Sequence, residues 1–469
     1  MQMRRIAASL AGAMLAALLL APQAGAADFK YTGLFRIRGI TTEDLDRNEN
    51  THDGIQAYDT TIRPRFTATS EGGRIFAIYE LDYNDGSQGG ANNIFGGNNA
   101  DENVGINRWV IDFAVPGTTL RTRIGRTDYT SPDTEIFDSP GIHRQDGIAL
   151  YGRLFGPVSL SAFTTKINEG FQAASDADNY YIALKWQAAP QIAITPWVGL
   201  SRQNANNATA TTGYEMYYLA LHGQAKIGIL DVDITGIYET GDAAQPTSAA
   251  RAAGARDIDI EAYGLLLRSW LTFGKAKVGF NFTYLSGDDD TIVSGSGSTA
   301  QQPDRELSRF VFPASSGWLE GPSIFTGRET SIYPARTAGG GVTNNLSTRT
   351  GVGVAPNTPG IASGDPRVPN GLIMPEVRVL YQATPVLRLD GRVAFIRSAE
   401  RATSVAGTNF VSDKDFGTAI EVGFKWDIYK QLYLQTWASY VVAGDYGQTR
   451  GGPDKDDSWG LVYELRHTW

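Results

Sequence analysis

The sequence predicts an all-β chain closed into a transmembrane antiparallel β-barrel of about 18 strands. Three observations predict it. First, alternating segments of ten to fourteen residues repeat along the chain, and a two-residue period is that of a strand with two unlike faces. Second, the connections alternate between very short and long, the parity of a barrel with short periplasmic turns and long extracellular loops. Third, the chain stops on an alternating aromatic strand. Trp459, Leu461, Tyr463, Leu465 and Trp469 share a face with His467, while Gly460, Glu464, Arg466 and Thr468 lie opposite. Such a strand must pair with the first, because lipid does not tolerate an open edge.

The chain begins with Arg4 and Arg5, an apolar run from Ile6 to Ala21, and Ala24-Gly25-Ala26. A positive region, an apolar region and a small-residue site make a signal peptide over 1–26, removed on export. The barrel then occupies 27–469. The alternative, an N-terminal membrane anchor, fits less well with a small-residue site followed at once by β-rich sequence.

Strands are expected at 29–41, 57–69, 74–85, 105–115, 119–127, 144–155, 157–168, 179–189 and 191–203, then at 214–226, 229–241, 258–272, 275–287, 373–383, 385–397, 415–427, 430–443 and 458–469. A miscount by one hairpin would give 16 or 20. Short turns fall at 70–73, 116–118, 156, 190, 228, 274, 384 and 427–430. Long polar loops fall at 42–56, 86–104, 128–143, 169–178, 204–213, 242–257, 288–372, 398–414 and 444–457. One face of each strand is apolar, as in Val278, Phe280, Phe282 and Tyr284, with aromatics near strand ends as interfacial girdles require. Pro64 removes a ladder donor from the second strand, so a bulge is expected there.

The net charge is −9, or −11 without Arg4 and Arg5, which argues against a nucleic-acid partner. The 469 residues include no Cys, which excludes disulfides and thiolate chemistry. A slightly negative mean hydropathy is compatible with a barrel, because its lumen and lipid faces average out.

The other face carries charge. Alternation turns Lys30, Arg36, Arg38, Arg63, Arg65, Arg108, Arg121, Arg123 and Arg153 inward, followed by Arg378, Arg388, Arg392, Lys425 and Arg466. The inward carboxylates include Glu80, Asp82, Asp112, Asp231, Asp233, Glu376, Asp390, Glu421 and Glu464. Closure brings Arg36, Arg38, Arg63, Arg65 and Arg466 onto one wall. Either these charges pair across strands and stiffen a polar lumen, or the Arg wall forms a path for anions.

Tyr31-Thr-Gly-Leu-Phe-Arg-Ile-Arg38, Ile62-Arg-Pro-Arg-Phe66, Leu120-Arg-Thr-Arg-Ile-Gly-Arg126 and Arg144-Gln-Asp-Gly-Ile148 resemble the alginate-export family of outer-membrane barrels. The resemblance implies 18 strands and an Arg-lined lumen. The sequence reads Gly125-Arg126-Thr127 where that family usually has Gly-Arg-Gln. Porins with a basic ladder for small carboxylates are similar in shape.

The loop 288–372 contains aromatic islands at 309–313, 318–322 and 332–334, and is expected to fold into or over the mouth and constrict the pore. A surface segment and a docking surface are the alternatives. Asp288-Asp289-Asp290 and the 454–457 acidic run lack ordered calcium spacing, so no metal site is expected. His52, His143, His222 and His467 form no catalytic arrangement, and no enzyme activity or cofactor is expected. The function expected is passive passage of hydrophilic, anionic solutes, small carboxylates or an anionic polysaccharide, across the bacterial outer membrane. The partners are outer-membrane lipid and the solute. The alternative is a structural barrel around a periplasmic or surface protein, such as the sheath of an export or electron-conduit complex. Oligomeric state does not follow from the residues.

Overall fold

A computed structural model describes residues 28–43, 55–83, 104–133, 135–136, 145–168, 177–203, 213–245, 257–288, 292–293, 306–313, 371–401, 403–404, 410–411, 414–445 and 457–469. The expected signal peptide at 1–26, most of the 288–372 loop and the 454–456 acidic run lie outside them.

Eighteen strands close into one antiparallel barrel. They are β1 (Asp28–Glu43), β2 (Ile55–Thr69), β3 (Ile75–Tyr83), β4 (Val104–Ala114), β5 (Leu120–Thr127), β6 (Gln145–Phe155), β7 (Val158–Asn168), β8 (Ala177–Ala189) and β9 (Ile192–Gln203). There follow β10 (Gly213–Ile227), β11 (Leu230–Gln245), β12 (Ile258–Phe273), β13 (Ala276–Leu285), β16 (Leu372–Thr384), β17 (Leu387–Arg397), β20 (Asp415–Tyr429), β21 (Leu432–Ala443) and β22 (Ser458–Thr468). Each expected strand is present, displaced by at most four residues at an end. Four two-residue strands lie in the long connections: β14 (Ile292–Val293), β15 (Glu306–Leu307), β18 (Thr403–Ser404) and β19 (Phe410–Val411). β15 pairs parallel with the outer end of β12, beyond the reach of β13.

Closure joins β1 to β22 over ten residue pairs, from Leu34↔Thr468 to Glu43↔Trp459. Two glycines of β1 permit it. A Cβ on Gly33 would stand 2.1 Å from the Trp469 ring, and one on Gly39 would stand 2.1 Å from the Tyr463 ring. Each ring therefore lies flat over the neighbouring strand. The last residue adds two backbone hydrogen bonds, Gly33 N–H to Trp469 O at 3.1 Å and Trp469 N–H to Gly33 O at 3.2 Å. No free edge remains at the seam, as a spanning barrel requires.

The expected bulge at Pro64 is absent. β2 runs in unshifted register against β1 through Gly33↔Pro64, and keeps its register against β3 between Ile62↔Tyr83 and Arg65↔Glu80. The missing proline donor interrupts the β3 ladder without adding a residue. The shift occurs instead between Glu80 and Leu81, where β4 opposes β3 and turns both Asn107 and Arg108 toward the lumen.

The outer face is apolar and exposed, with Ile111, Ile148, Ile182, Phe395 and Val422 among its residues. Among the described residues no helix is long and apolar enough to cross a membrane. A closed barrel with an apolar outer band crosses it with strands, and belongs in an outer membrane.

Candidate pore lining

The inner face divides into two walls. The charged wall comes from β1–β6 together with β16, β17, β20 and β22. Pairing sets Arg36 directly opposite Arg466 on β22 and opposite Thr61 on β2. Arg36 is 4% exposed, and its Nη2 donates to Thr61 Oγ1 at 2.8 Å. Arg63 stands opposite Leu34 and Arg65 opposite Thr32, one and two alternations further along the same face. Arg38 lies between Asp59 and Glu464 in register. Arg466 forms an ion pair with Glu464, Nε to Oε1 at 2.7 Å, and its guanidinium sits over the Tyr433 ring at 5.6 Å.

Carboxylates on the same wall gather several bases each. Asp112 accepts from Arg121 Nε at 2.7 Å, from Arg123 Nε at 3.0 Å and from the Tyr151 hydroxyl. Glu80 accepts from Arg65 Nε and from Asn107 Nδ2. Arg392 stands between Glu421, at 3.0 Å, and Glu376, at 3.6 Å. Arg378 forms a two-point pair with Asp390, at 3.1 and 2.5 Å, and its guanidinium lies over Trp270. Arg108 reaches Asp128 beyond the end of β5 at 2.5 Å. Lys425 is 3.3 Å from Asp427 and lies over Tyr433 at 4.2 Å. Arg388 is opposite Lys425 and Gln382.

One expected pore residue, Arg153, stands apart from this wall, and the side chain of another, Asp82, lies outside the described residues. Arg153 is exposed beside a short turn, where its Nε donates to the Gly156 carbonyl at 2.6 Å. Pairing and cation clustering thus occur together on one wall. Arg121, Arg123, Arg378, Arg392 and Arg466 are held by carboxylates, while Arg36 stands opposite Arg466 in register.

A cavity of about 690 Å³ follows the charged wall at the short-turn end of the barrel. Its lining carries Lys30, Arg63, Arg65 and Arg466 against two carboxylates, Asp28 and Glu80. A second cavity, of about 580 Å³, lies against β8–β12 and is lined by Lys185, Lys226, Asp231, Asp233, Glu135 and Arg268 among others. The two cavities face each other across the barrel.

The second wall, β7–β12, is aromatic and apolar above that cavity. Phe163 stacks on Tyr181 at 4.6 Å, and Tyr181 meets Trp197 at 5.6 Å. Two loop segments pack onto this wall from the long-loop end. The first follows β5. Tyr129 packs on Phe163 and donates its hydroxyl to the Gly125 carbonyl at 2.8 Å, and burial pushes that hydroxyl above its ordinary pKa. Asp133 Oδ1 then accepts from Ser131 Oγ, Glu135 N–H and Ile136 N–H at 2.8–2.9 Å. This Asx-type turn projects Glu135 and Ile136 into the lumen. Glu135 grips Arg268 of β12 with two bonds, 3.0 and 2.8 Å, and Ile136 is 0% exposed.

The second segment is 306–313, part of the long 288–372 loop. Tyr218 donates to the Val311 carbonyl at 2.9 Å, and the Val311 N–H donates to Glu239 at 2.9 Å. Phe310 meets Tyr218 and Phe312 edge-on. Residues 306–313 therefore fold inward.

Sequence reasoning missed Glu135, Glu239 and Arg268. The parity of their strands turns Glu239 and Arg268 inward and was the available signal. Glu135 lies on a loop, where no period exists to read. His222 is buried on the inner face, with Nδ1 2.8 Å from Thr235 Oγ1 and 3.5 Å from Asp233. Among the described residues no group of His, Cys, Asp or Glu could hold a metal ion.

Solved structures with this fold include OpdL from Pseudomonas aeruginosa, with a TM-score of 0.54 at 11% identity over 94% of this chain and 99% of that one. OccK8 (OprE) from the same organism gives 0.51 at 12% identity over 94% and 98%. OccAB4 from Acinetobacter baumannii gives 0.52 at 12% identity over 94% and 98%. No family model and no curated protein sequence matches, so the alginate-export likeness stays a resemblance of short segments. The fold is that of bacterial outer-membrane porins.

Proposed function

We propose that this protein is an outer-membrane channel for passive passage of hydrophilic solutes, and that its basic wall favours anions. The observation that carries the reading is the register of the seam, which sets Arg36 against Arg466 beside Arg63 and Arg65. Like charges directly opposite each other are destabilising. Glu464, paired with Arg466, offsets part of that repulsion, and the surplus of cations on this wall gives a field that a low-dielectric lining focuses on a passing anion. The carboxylates of the wall hold several guanidiniums in fixed positions, so a solute meets an ordered track.

Small carboxylates and stretches of anionic polysaccharide both suit such a track. One structural neighbour is OpdK with vanillate, and vanillate is a small aromatic carboxylate. That likeness supports the small-carboxylate reading by fold alone. The proposed lining is Arg36, Arg38, Arg63, Arg65, Arg108, Arg121, Arg123, Arg388, Arg392 and Arg466, with Glu80, Asp112 and Glu464. Arg153 stands at the turn and is left out.

The test is the reversal potential of single channels in a planar bilayer under a potassium chloride gradient. An anion-preferring channel is expected, with the preference lost in Arg36→Gln/Arg63→Gln/Arg466→Gln. A cation-preferring wild type would overturn the anion path. A folded barrel that never conducts would favour the partner-filled structural barrel.

A further inference from the structure

Across β5–β9 a row of charge runs in register around the outside of the barrel. Arg126 pairs with Asp146, Asp146 with Lys166, Lys166 with Asp178, and Asp178 with Arg202. Each residue lies within a few positions of the strand end that feeds a long loop. The row two residues further into the membrane reads Ile124, Ile148, Thr164, Tyr180 and Leu200. The row beyond that reads Thr122, Leu150, Ala162, Ile182 and Val198. The charges therefore stand on the outward face, at the upper border of the apolar band, level with the outer-leaflet headgroups.

The row alternates in sign, but of its two carboxylates only Asp146 is as exposed as the three cations, at 43%, while Asp178 is buried. Lys166 and Arg202 both reach Asp178, at 3.0 and 3.7 Å. Their side chains are 43% exposed, while that of Asp178 is 8% exposed. The carboxylate lies beneath and the two cations lie on top. Arg202 is further fixed against Tyr180, whose hydroxyl accepts its Nη2 at 2.9 Å and whose ring lies under the guanidinium. Arg126 is braced by a two-point pair with Asp146, at 3.1 and 2.6 Å. Carboxylates and a tyrosine thus hold three cations in place on the lipid-facing rim.

We propose that this sector is a binding site for a phosphorylated glycolipid of the outer leaflet, with Arg126, Lys166 and Arg202 as its phosphate contacts. Neighbouring strands stand about 4.8 Å apart, so bases on alternate strands stand about 10 Å apart. A headgroup with one phosphate meets one base. A saccharide headgroup with phosphates at two ends reaches two, which favours the glycolipid over a simple phospholipid. The same row continues into Glu215, Asp242 and Asp259 on β10–β12, where three carboxylates in succession repel phosphate. The site is consequently a sector and not a complete ring. It is independent of the pore, because every residue in it faces away from the lumen.

The full-length mature protein, extracted in mild detergent and stripped of bound lipid, would be titrated with diphosphoryl lipid A and followed by native mass spectrometry. Dephosphorylated lipid A is the comparison probe. Arg126→Gln/Lys166→Gln/Arg202→Gln is expected to bind diphosphoryl lipid A about tenfold more weakly, as three half-exposed ionic contacts are lost together. Glu215→Gln/Asp242→Asn/Asp259→Asn, on the same rim, is expected to bind at least as well as wild type. If the triple cation variant does not fold, Arg126→Lys/Arg202→Lys keeps the charge and must retain binding, while Lys166→Gln alone must weaken it. The proposal fails if the folded triple variant binds as tightly as wild type, or if dephosphorylated lipid A binds equally well. It fails also if the variant loses self-association and leaves lipid A binding unchanged, which would make the row an interface between copies of the chain. Channel selectivity is not read in this experiment, so its outcome is separate from that of the anion path.

Discussion

Truncating Glu135 should loosen the lumen without unfolding the barrel. Glu135 and Arg268 are nearly fully buried, and the pair joins a loop to a strand 133 residues away. Removing one member of a buried pair costs about 3–5 kcal/mol, because it strands the other charge. Arg268 keeps three further bonds, to Leu267 O, Phe282 O and Thr283 Oγ1. The cost therefore falls near the lower figure, about 3 kcal/mol, or roughly a hundredfold in a local opening equilibrium. Ile136 remains as an anchor contributing about 1.5–3 kcal/mol of burial, so Glu135→Ala should raise channel noise while Glu135→Ala/Ile136→Ala releases the segment. Single-channel recording should then show higher conductance in the double variant. Replacing both charges, in Glu135→Gln/Arg268→Gln, should be milder than Glu135→Ala, since no unpaired charge is left behind. A folded Glu135→Ala/Ile136→Ala barrel with wild-type conductance and noise would refute the tether.

Two further outcomes are expected. Gly39→Val should yield little folded barrel in a heat-modifiability gel, because its side chain would occupy the Tyr463 ring, and Tyr463→Ala should restore folding. Glu239→Ala, which orphans the Val311 N–H inside the lumen, should cost about 1–3 kcal/mol locally. It should speed external proteolysis within 306–313, and adding Tyr218→Phe should speed it further. An unchanged cleavage rate in both variants would remove these residues as the clamp.

The barrel was legible because its determinants are local. A two-residue period in Val278 to Tyr284, or in Trp459 to Leu465, reports a half-apolar strand without reference to any other segment. Loop parity then orders the strands, and counting them closes the ring. The inward Arg set was legible for the same reason. What each Arg touches was not. Asp112 gathers Arg121, Arg123 and Tyr151 only because β4, β5 and β6 align at that height. Pro64 shows the converse error, since the loss of one donor was absorbed without a bulge.

By itself, then, the sequence determined the all-β class, the 18 strands, the two faces of each and the basic character of one wall. Tertiary structure decided the register, and with it the meeting of Arg36 and Arg466 and the outward row from Arg126 to Arg202. It also decided that residues 129–136 and 306–313 turn into the lumen. The physical reason is range. Face and period are properties of neighbouring residues, whereas register and inward folding depend on partners on other strands and loops, 93 residues away for Tyr218 and Val311 and 133 for Glu135 and Arg268, and nothing in the local pattern records them.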